Sequence, residues 1–431
     1  MLYLRITYNR FNIRCRDGGK KMKNKLMQQI IFFLGLFLGA QQLAFAQCTQ
    51  TLSPGDNIAS AVSSAAGGAT ICLNNGSYGS LTLANISKSS YVTIRSVNSK
   101  GATLGNTNIG NSDYIRIEDV VIGGGLINAC SQHIQIANST FTSGLTIRAD
   151  GCSPNDNLDY TIDGNTFNKL NPALWEGRLS IGLVGSNSGI KIKNNIFGGG
   201  GCSDGIQLVG GAGGVEIGPG NIFRDLIQGS CSAHVDAIQT YGAGPGNVIK
   251  ENYFVNNSVH IGIYDGGSTY TVKDNIFDTP NSVNYQAIQM GGIHGMLMEH
   301  NTFINTTLGI GTKSANSQHT GWIVQNNIFN NSRFTASGDQ PGCGSDCIMR
   351  YNLKSRGGTT APTGTNNITG DAVWIGSGSV SAWANWQLAP GSPGKSAGND
   401  GQDMGATSYG TGTGTDTTAP ISAPKNLRLG Q

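Results

Sequence analysis

Two aspartates open matching seven-residue segments, Asp204-Gly-Ile-Gln-Leu-Val-Gly210 and Asp236-Ala-Ile-Gln-Thr-Tyr-Gly242. If these segments lie on neighbouring parallel strands, the two Cα atoms are about 5 Å apart. Carboxylates that close cannot both ionise cheaply. Either one pKa rises, giving an acid/base couple, or a cation such as Ca²⁺ sits between them. His234 lies just before Asp236 and Tyr241 just after it, and Asp265 falls on the next segment of the same kind. Asp204, Asp236, Asp265 and His234 are therefore the catalytic candidates, and the three aspartates are the candidate calcium ligands. The competing reading is that each Asp satisfies backbone N–H groups at a strand start. That explains one such residue more readily than two in register.

Four further segments align with these two: Leu179 to Gly185, Ile261 to Gly267, Gln286 to Gly292 and Leu308 to Ser314. Placing Ile181, Ile206, Ile238, Ile263, Ile288 and Ile310 inward turns the residue after each outward, by the strand period of two. The expected outward column is Gly182, Gln207, Gln239, Tyr264, Gln289 and Gly311. It is flanked by small residues (Ser180, Gly205, Ala237, Gly262, Ala287, Gly309). Amides and an aromatic ring above a floor of small residues suit sugar hydroxyls and rings, although a plain glutamine ladder would look the same. Gln207, Gln239, Tyr241, Tyr264 and Gln289, with Lys313 and Arg178 flanking the face, are the substrate-binding candidates. In this alignment Asp204 and Asp236 occupy a core-facing column that is Leu or Ile in other segments. Burying carboxylates costs several kcal/mol unless they are paired, hydrogen-bonded or metal-bound. His260 is expected to face outward and His294 to sit in a turn. There is no Gly-x-Ser-x-Gly elbow, phosphate loop or His-Glu-x-x-His motif, which disfavours the chemistries those motifs carry.

The elements that must hold these residues are repeats. Asn-x-Phe recurs at Asn165, Asn195, Asn221, Asn252, Asn275, Asn301 and Asn327, and Phe141 precedes the series with Ser139 in the Asn place. The phenylalanines are spaced by 26, 30, 26, 31, 23, 26 and 26 residues. Alternating apolar segments such as Ile190-Lys-Ile-Lys193 come before the motifs and read as half-buried strands. One coil cannot bury its apolar edge alone, but stacked coils make a continuous core. The expectation is an all-β, right-handed parallel β-helix with an inward Phe stack and an Asn turn ladder. The leucine-rich pattern of the alternative solenoid is missing.

Composition agrees. Only 12% of the 431 residues are charged, about half the usual share, and Gly numbers 64. The formal net charge of +3 includes a basic start, and no basic stripe remains for nucleic acid. Residues 1–46 read as an upstream extension and a signal peptide. Lys23 and Lys25 precede the apolar run Ile30 to Gly39, and Ala44-Phe45-Ala46 supplies a cleavage site. That run is too short to span a membrane. Eight cysteines remain after the leader, and sequential pairing, including Cys130 with Cys152 and Cys202 with Cys231, would staple adjacent coils. Residues 47–404 form the expected solenoid domain, and 405–431 a flexible Gly/Thr/Pro tail.

Asp56 to Ala66 reads as a short capping helix, followed by Gly67-Gly-Ala-Thr-Ile-Cys-Leu73 and Gly76-Ser-Tyr78. This opening, with the later periodicity, resembles the pectin-lyase-like superfamily over roughly residues 50–400. The resemblance implies an enzyme acting on a polysaccharide; the leader and the cysteines place it as secreted or periplasmic, and a monomer is expected. One implied chemistry is β-elimination from a uronic acid, with Ca²⁺ on Asp carboxylates and a basic residue as proton acceptor. The other is glycoside hydrolysis by a carboxylate pair. The chain departs from the lyase pattern in having no Arg or Lys clearly beside Asp204 and Asp236, so His234 or Lys313 would be the base. It departs from the polygalacturonase-like pattern in lacking adjacent aspartates. A non-catalytic glycan-binding or adhesive solenoid would use the same groove.

Overall fold

A computed structural model describes residues 47–407 apart from 154–156, 169–176, 265–266, 280–285, 291, 311–319, 337–347, 358–363 and 377–385. Every pairing between its named strands is parallel, and one helix precedes the coils. The architecture is the expected right-handed parallel β-helix. Thirteen strands, from Gln50–Leu52 to Ile348–Arg350, form one continuous sheet. The Asn-x-Phe strands form a second ladder, running from Thr140–Phe141 to Ile368–Thr369. A third carries the candidate site: β1 (Leu179–Gly182), β2 (Ile206–Val209), β3 (Asp236–Tyr241), β4 (Val259–Ile263), β5 (Gln286–Met290) and β6 (Thr307–Ile310). In the early coils a single strand, Val121–Asn128, pairs with the strands of both ladders.

The helix α1 (Ile58–Ser64) starts because Asn57 accepts the N–H of Ser60, and it buries Ile58, Ala61 and Val62. Lys88 closes its other end by donating to the carbonyls of Ser63 and Ala65. Phe141, Phe167, Phe197, Phe223, Phe254, Phe277, Phe303 and Phe329 form one buried stack. Successive ring centroids lie 4.4–5.0 Å apart.

Beside the stack runs the asparagine ladder. Asn221 Oδ1 accepts the backbone N–H and the side-chain amide of Asn195, and Asn195 Nδ2 also donates to Ile162 O. The same pattern recurs at Asn252, Asn275, Asn301 and Asn327. The residue before each of these asparagines is left-handed, among them Asn194, Glu251, Asp274, His300 and Asn326.

Disulfides join Cys48–Cys72, Cys130–Cys152 and Cys202–Cys231, as sequential pairing predicts. Cys343 and Cys347 lie outside the described residues. Near the other end, a C-terminal strap lies against the turns. His300 meets the Asp400 carboxylate and the Asp403 carbonyl, Asn399 bonds Asn326, and Thr407 donates to Asp274. The chain therefore stays packed through Thr407, a little past the expected start of the tail. None of the described helices is long and apolar enough to cross a membrane.

Phe254→Ala would remove one ring from the middle of the stack. The expected cost is about 3–5 kcal/mol, read by urea unfolding, because the rings above and below cannot close the gap. A loss below about 1 kcal/mol would contradict a close-packed column.

Candidate functional site

The third ladder bends where the two aspartates stand. A Cβ at Gly205 would press on Phe223 and Leu226, so Gly205 faces the core at the bend. Val235, Ala237 and Ile238 are fully buried around Asp236. The carboxylates themselves meet polar groups. Asp204 Oδ1 accepts the Asp236 N–H at 2.8 Å, and Asp236 Oδ2 lies 3.1 Å from His234 Nδ1. Asp236 Oδ1 accepts the Tyr264 hydroxyl at 3.3 Å. The His234 and Tyr264 rings are 4.9 Å apart.

Register brings Asp204 and Asp236 together as expected, with Gln207 opposite Gln239. Their amides bond at 2.7 Å, and Gln239 Nε2 lies 3.4 Å from His234 Nε2. Elsewhere the expected alignment is off by two residues. Ile206 pairs with Leu179 and not Ile181, Ile238 with Ile261 and not Ile263, and Ile288 with Leu308 and not Ile310. The outward column is therefore Ser180, Gln207, Gln239, Gly262 and Gly309, with Gln289 at the same register position. Gly182 and Tyr264 do not belong to it, and Gly311 lies outside the described residues. The partner of Asp236 on β4 is Val259, which in turn pairs with Gln286, so the aspartates do not replace a column of Leu and Ile.

This shift gives Tyr264 its place. A Cβ at Gly262 would lie 2.6 Å from both Asp236 Oδ2 and the Tyr264 ring. The ring thus occupies the space above Gly262, with its hydroxyl on Asp236. Tyr264 is expected from sequence among the substrate contacts, and its bond to the acid is not. A glycine two residues before an aromatic residue was the available signal.

Other expectations are corrected. Arg178 does not flank an open face. It is fully buried and donates to the carbonyls of Gly200, Ser203 and Asp204, so it holds the turn into Asp204. Burial lowers its pKa to about 10. His260, expected outward, is buried between Asn257 and Thr279, and desolvation pulls its pKa down to about 3. His294 lies within the strand Ile293–Glu299 and not in a turn, bonded to Thr320. Tyr241 closes β3 with its ring largely in solvent, five places along the strand from Asp236. Asp265, Lys313 and the Gln289 side chain lie outside the described residues.

Burial raises the Asp204 pKa to about 7, and the Asp236 charge adds to the rise. The Asp236 N–H, His234 and Arg178 oppose it. Burial and the same two carboxylates push the Tyr264 phenol up, so it stays protonated. His234 keeps about a third of its side chain exposed, whereas Asp236 is sealed (32% against 0%). The solvent-facing group of the cluster is therefore an imidazole backed by a carboxylate.

Asp204, His234 and Asp236 each offer one ligand atom, all within 4.8 Å of one another, so the cluster can hold a metal ion. Calcium takes six to eight oxygen ligands. The described donors supply two carboxylates and a nitrogen, which fits calcium only at the carboxylate pair.

No family model matches the chain, and no curated protein does. Solved structures match its fold. The family PL6 alginate lyase AlyGC is similar over 83% of this chain and 59% of its own, at 13% identity and a TM-score of 0.53. A mannuronic acid specific polysaccharide family 6 lyase from human gut microbiota matches over 74% of this chain and 83% of its own, at 14% identity and a TM-score of 0.50. The chain thus spans about three fifths of the length of AlyGC. Likeness at this identity establishes the parallel β-helix.

The raised Asp204 pKa has a thermodynamic consequence. Between its unfolded value of about 3.9 and about 7, the folded form holds a proton that the unfolded chain has released. The stability from this group is full below about pH 4 and is lost as pH rises through about 7. Urea unfolding of metal-free protein near pH 5 and pH 8 should show Asp204→Asn gaining on wild type at the higher pH. The gain is bounded by about 1.4 kcal/mol per unit of pKa separation. A difference that stays flat would contradict the raised value.

Proposed function

We propose that this chain is an exported polysaccharide lyase that cleaves a uronate-containing glycan by β-elimination at the Asp204–His234–Asp236–Tyr264 cluster. The observation that carries the reading is the carboxylate-backed imidazole beside a protonated phenol, on the outer face of a β-helix wall. The shared fold supports it: AlyGC and the gut enzyme are lyases of the β-helix kind. Three disulfides support an oxidising location outside the cytoplasm.

In this reading each residue of the cluster has a role. The Asp236 carboxylate, 3.1 Å from His234 Nδ1, would favour a proton there, leaving Nε2 as the base for the proton at C5 of the uronate. As the C5–H bond breaks, the C4–C5 double bond forms and the C4–O bond opens. Tyr264 supplies the proton to the departing oxygen and is itself oriented by Asp236. Asp204, protonated below about pH 7, offers an O–H to the substrate carboxylate in place of a repelling charge. Gln207 and Gln239, on neighbouring coils and bonded to each other, would present amides to the sugar hydroxyls. Calcium is the alternative to that proton: with Asp204 ionised, the Asp204 and Asp236 carboxylates would hold the cation, which would then neutralise the substrate carboxylate in place of the Asp204 O–H.

Incubation with alginate, pectate and other polyuronates, followed by ultraviolet absorbance and reducing ends, tests the reaction. Elimination gives unsaturated, absorbing ends. Reducing ends without absorbance would mean hydrolysis, and binding without either would mean a glycan-binding solenoid. His234→Ala and Asp236→Asn should each lower turnover by on the order of 10²–10⁴-fold while the fold persists. Gly262→Ala, which touches no substrate, should also impair turnover by displacing Tyr264. A chelator reports on calcium: unchanged turnover after its addition would remove the cation from the proposal.

A further inference from the structure

The thirteen-stranded sheet carries a left-handed position two residues ahead of the paired strand residues, coil after coil. From Gly189 onward it is Gly189, Gly214, Gly246, Thr269, Gly295 and Gly321, all with positive φ. Glycine is the natural occupant of such a position. In the three coils before Gly189 the same place is held by Tyr114, His133 and Asp159, with φ of 57°, 54° and 50°. A tyrosine there is a backbone outlier, and such outliers concentrate at binding sites.

These side chains form an ordered group. The Tyr114 and His133 rings stack at 4.2 Å, and Tyr91, on the preceding coil, meets Tyr114 edge-on at 5.5 Å. Asp159 Oδ2 lies 2.9 Å from His133 Nδ1. Gln135 accepts from Arg116 at 3.5 Å. Tyr91 and Tyr114 are partly exposed, and His133 and Asp159 keep 31% and 41% of their side chains in solvent. The group lies on a different sheet from the acidic cluster.

We propose that Tyr91, Tyr114 and His133, with Gln135 and Asp159, form a second, non-catalytic site that holds a pyranose of a polysaccharide. Fixed aromatic rings offer apolar surface to the C–H face of a sugar, and planar amide, guanidinium and carboxylate groups offer partners for its hydroxyls. The Asp159 charge repels a uronate, so a neutral, hydroxyl-rich sugar is the preferred occupant. The ligand class rests on the polysaccharide reading given above, but the site does not depend on turnover.

Native electrophoresis through gels containing a neutral β-glucan, alginate or pectate tests the assignment. Wild type should be retarded most by the neutral polymer. Tyr91→Leu should lose most of that retardation. Tyr114→Gly and His133→Gly should lose it too while their thermal midpoints hold or rise, because glycine is what the later coils use. A purely structural role predicts the reverse, lowered midpoints with retardation kept, and that result overturns the site. So does wild type that no gel retards, and retardation chiefly by a polyuronate overturns the neutral-sugar assignment. If the glycine variants do not fold, Tyr91→Leu, at an ordinary backbone position, decides alone. Asp236→Asn should keep full retardation, so failure of the lyase reading and failure of this one remain distinguishable.

Discussion

The asparagine ladder is the constraint on which the rest of the solenoid depends. Each coil must turn between two sheets inside the protein, where an unpaired backbone N–H is costly. One buried Asn per coil answers this by accepting from the neighbouring coil's backbone and amide while donating to a carbonyl. The left-handed residue before it and the Phe two places after it follow from that fixed corner. Coil length is then free to vary elsewhere. The longest interval, 31 residues between Phe223 and Phe254, contains Cys231, His234 and Asp236. The extra chain that raises His234 beside Asp236 is accommodated without disturbing the corner.

The parts of the fold legible in the sequence are those in which one residue type does one job in every coil. Asn and Phe recur because the ladder and the stack tolerate few substitutes. The helix cap and the three neighbouring disulfides were legible for similarly local reasons. Strand register was less so. Leu179-Ser-Ile181 and Ile261-Gly-Ile263 each offer two apolar residues of the same parity, and a period of two cannot choose between them. The slip kept inside and outside correct but moved Tyr264 away from its true neighbour. The pairing of Asp204 with Asp236 survived because their two segments match over their whole length.

The burial of Arg178 and of His260 was not legible, for a different reason. Both depend on partners in another coil: carbonyls at Gly200 and Ser203 for one, Thr279 for the other. A charged or titratable residue in a strand pattern looks outward until its partners are known. The bend at Gly205 was hidden likewise, since an alternating pattern carries no mark where two successive residues turn to the same side.

The two ends of the solenoid are secured by different chemistry. The described disulfides all fall between Cys48 and Cys231, whereas the later coils are tied by the strap whose Asp400 and Thr407 reach back to His300 and Asp274. A stack of coils bound only to nearest neighbours unravels from its ends. Among the described residues, the earlier coils are locked by bonds sensitive to thiols and the later ones by hydrogen bonds sensitive to acid and denaturant. Among those residues failure has a direction: reductants loosen the coils up to Cys231, and loss of the strap releases those near His300 and Asp274.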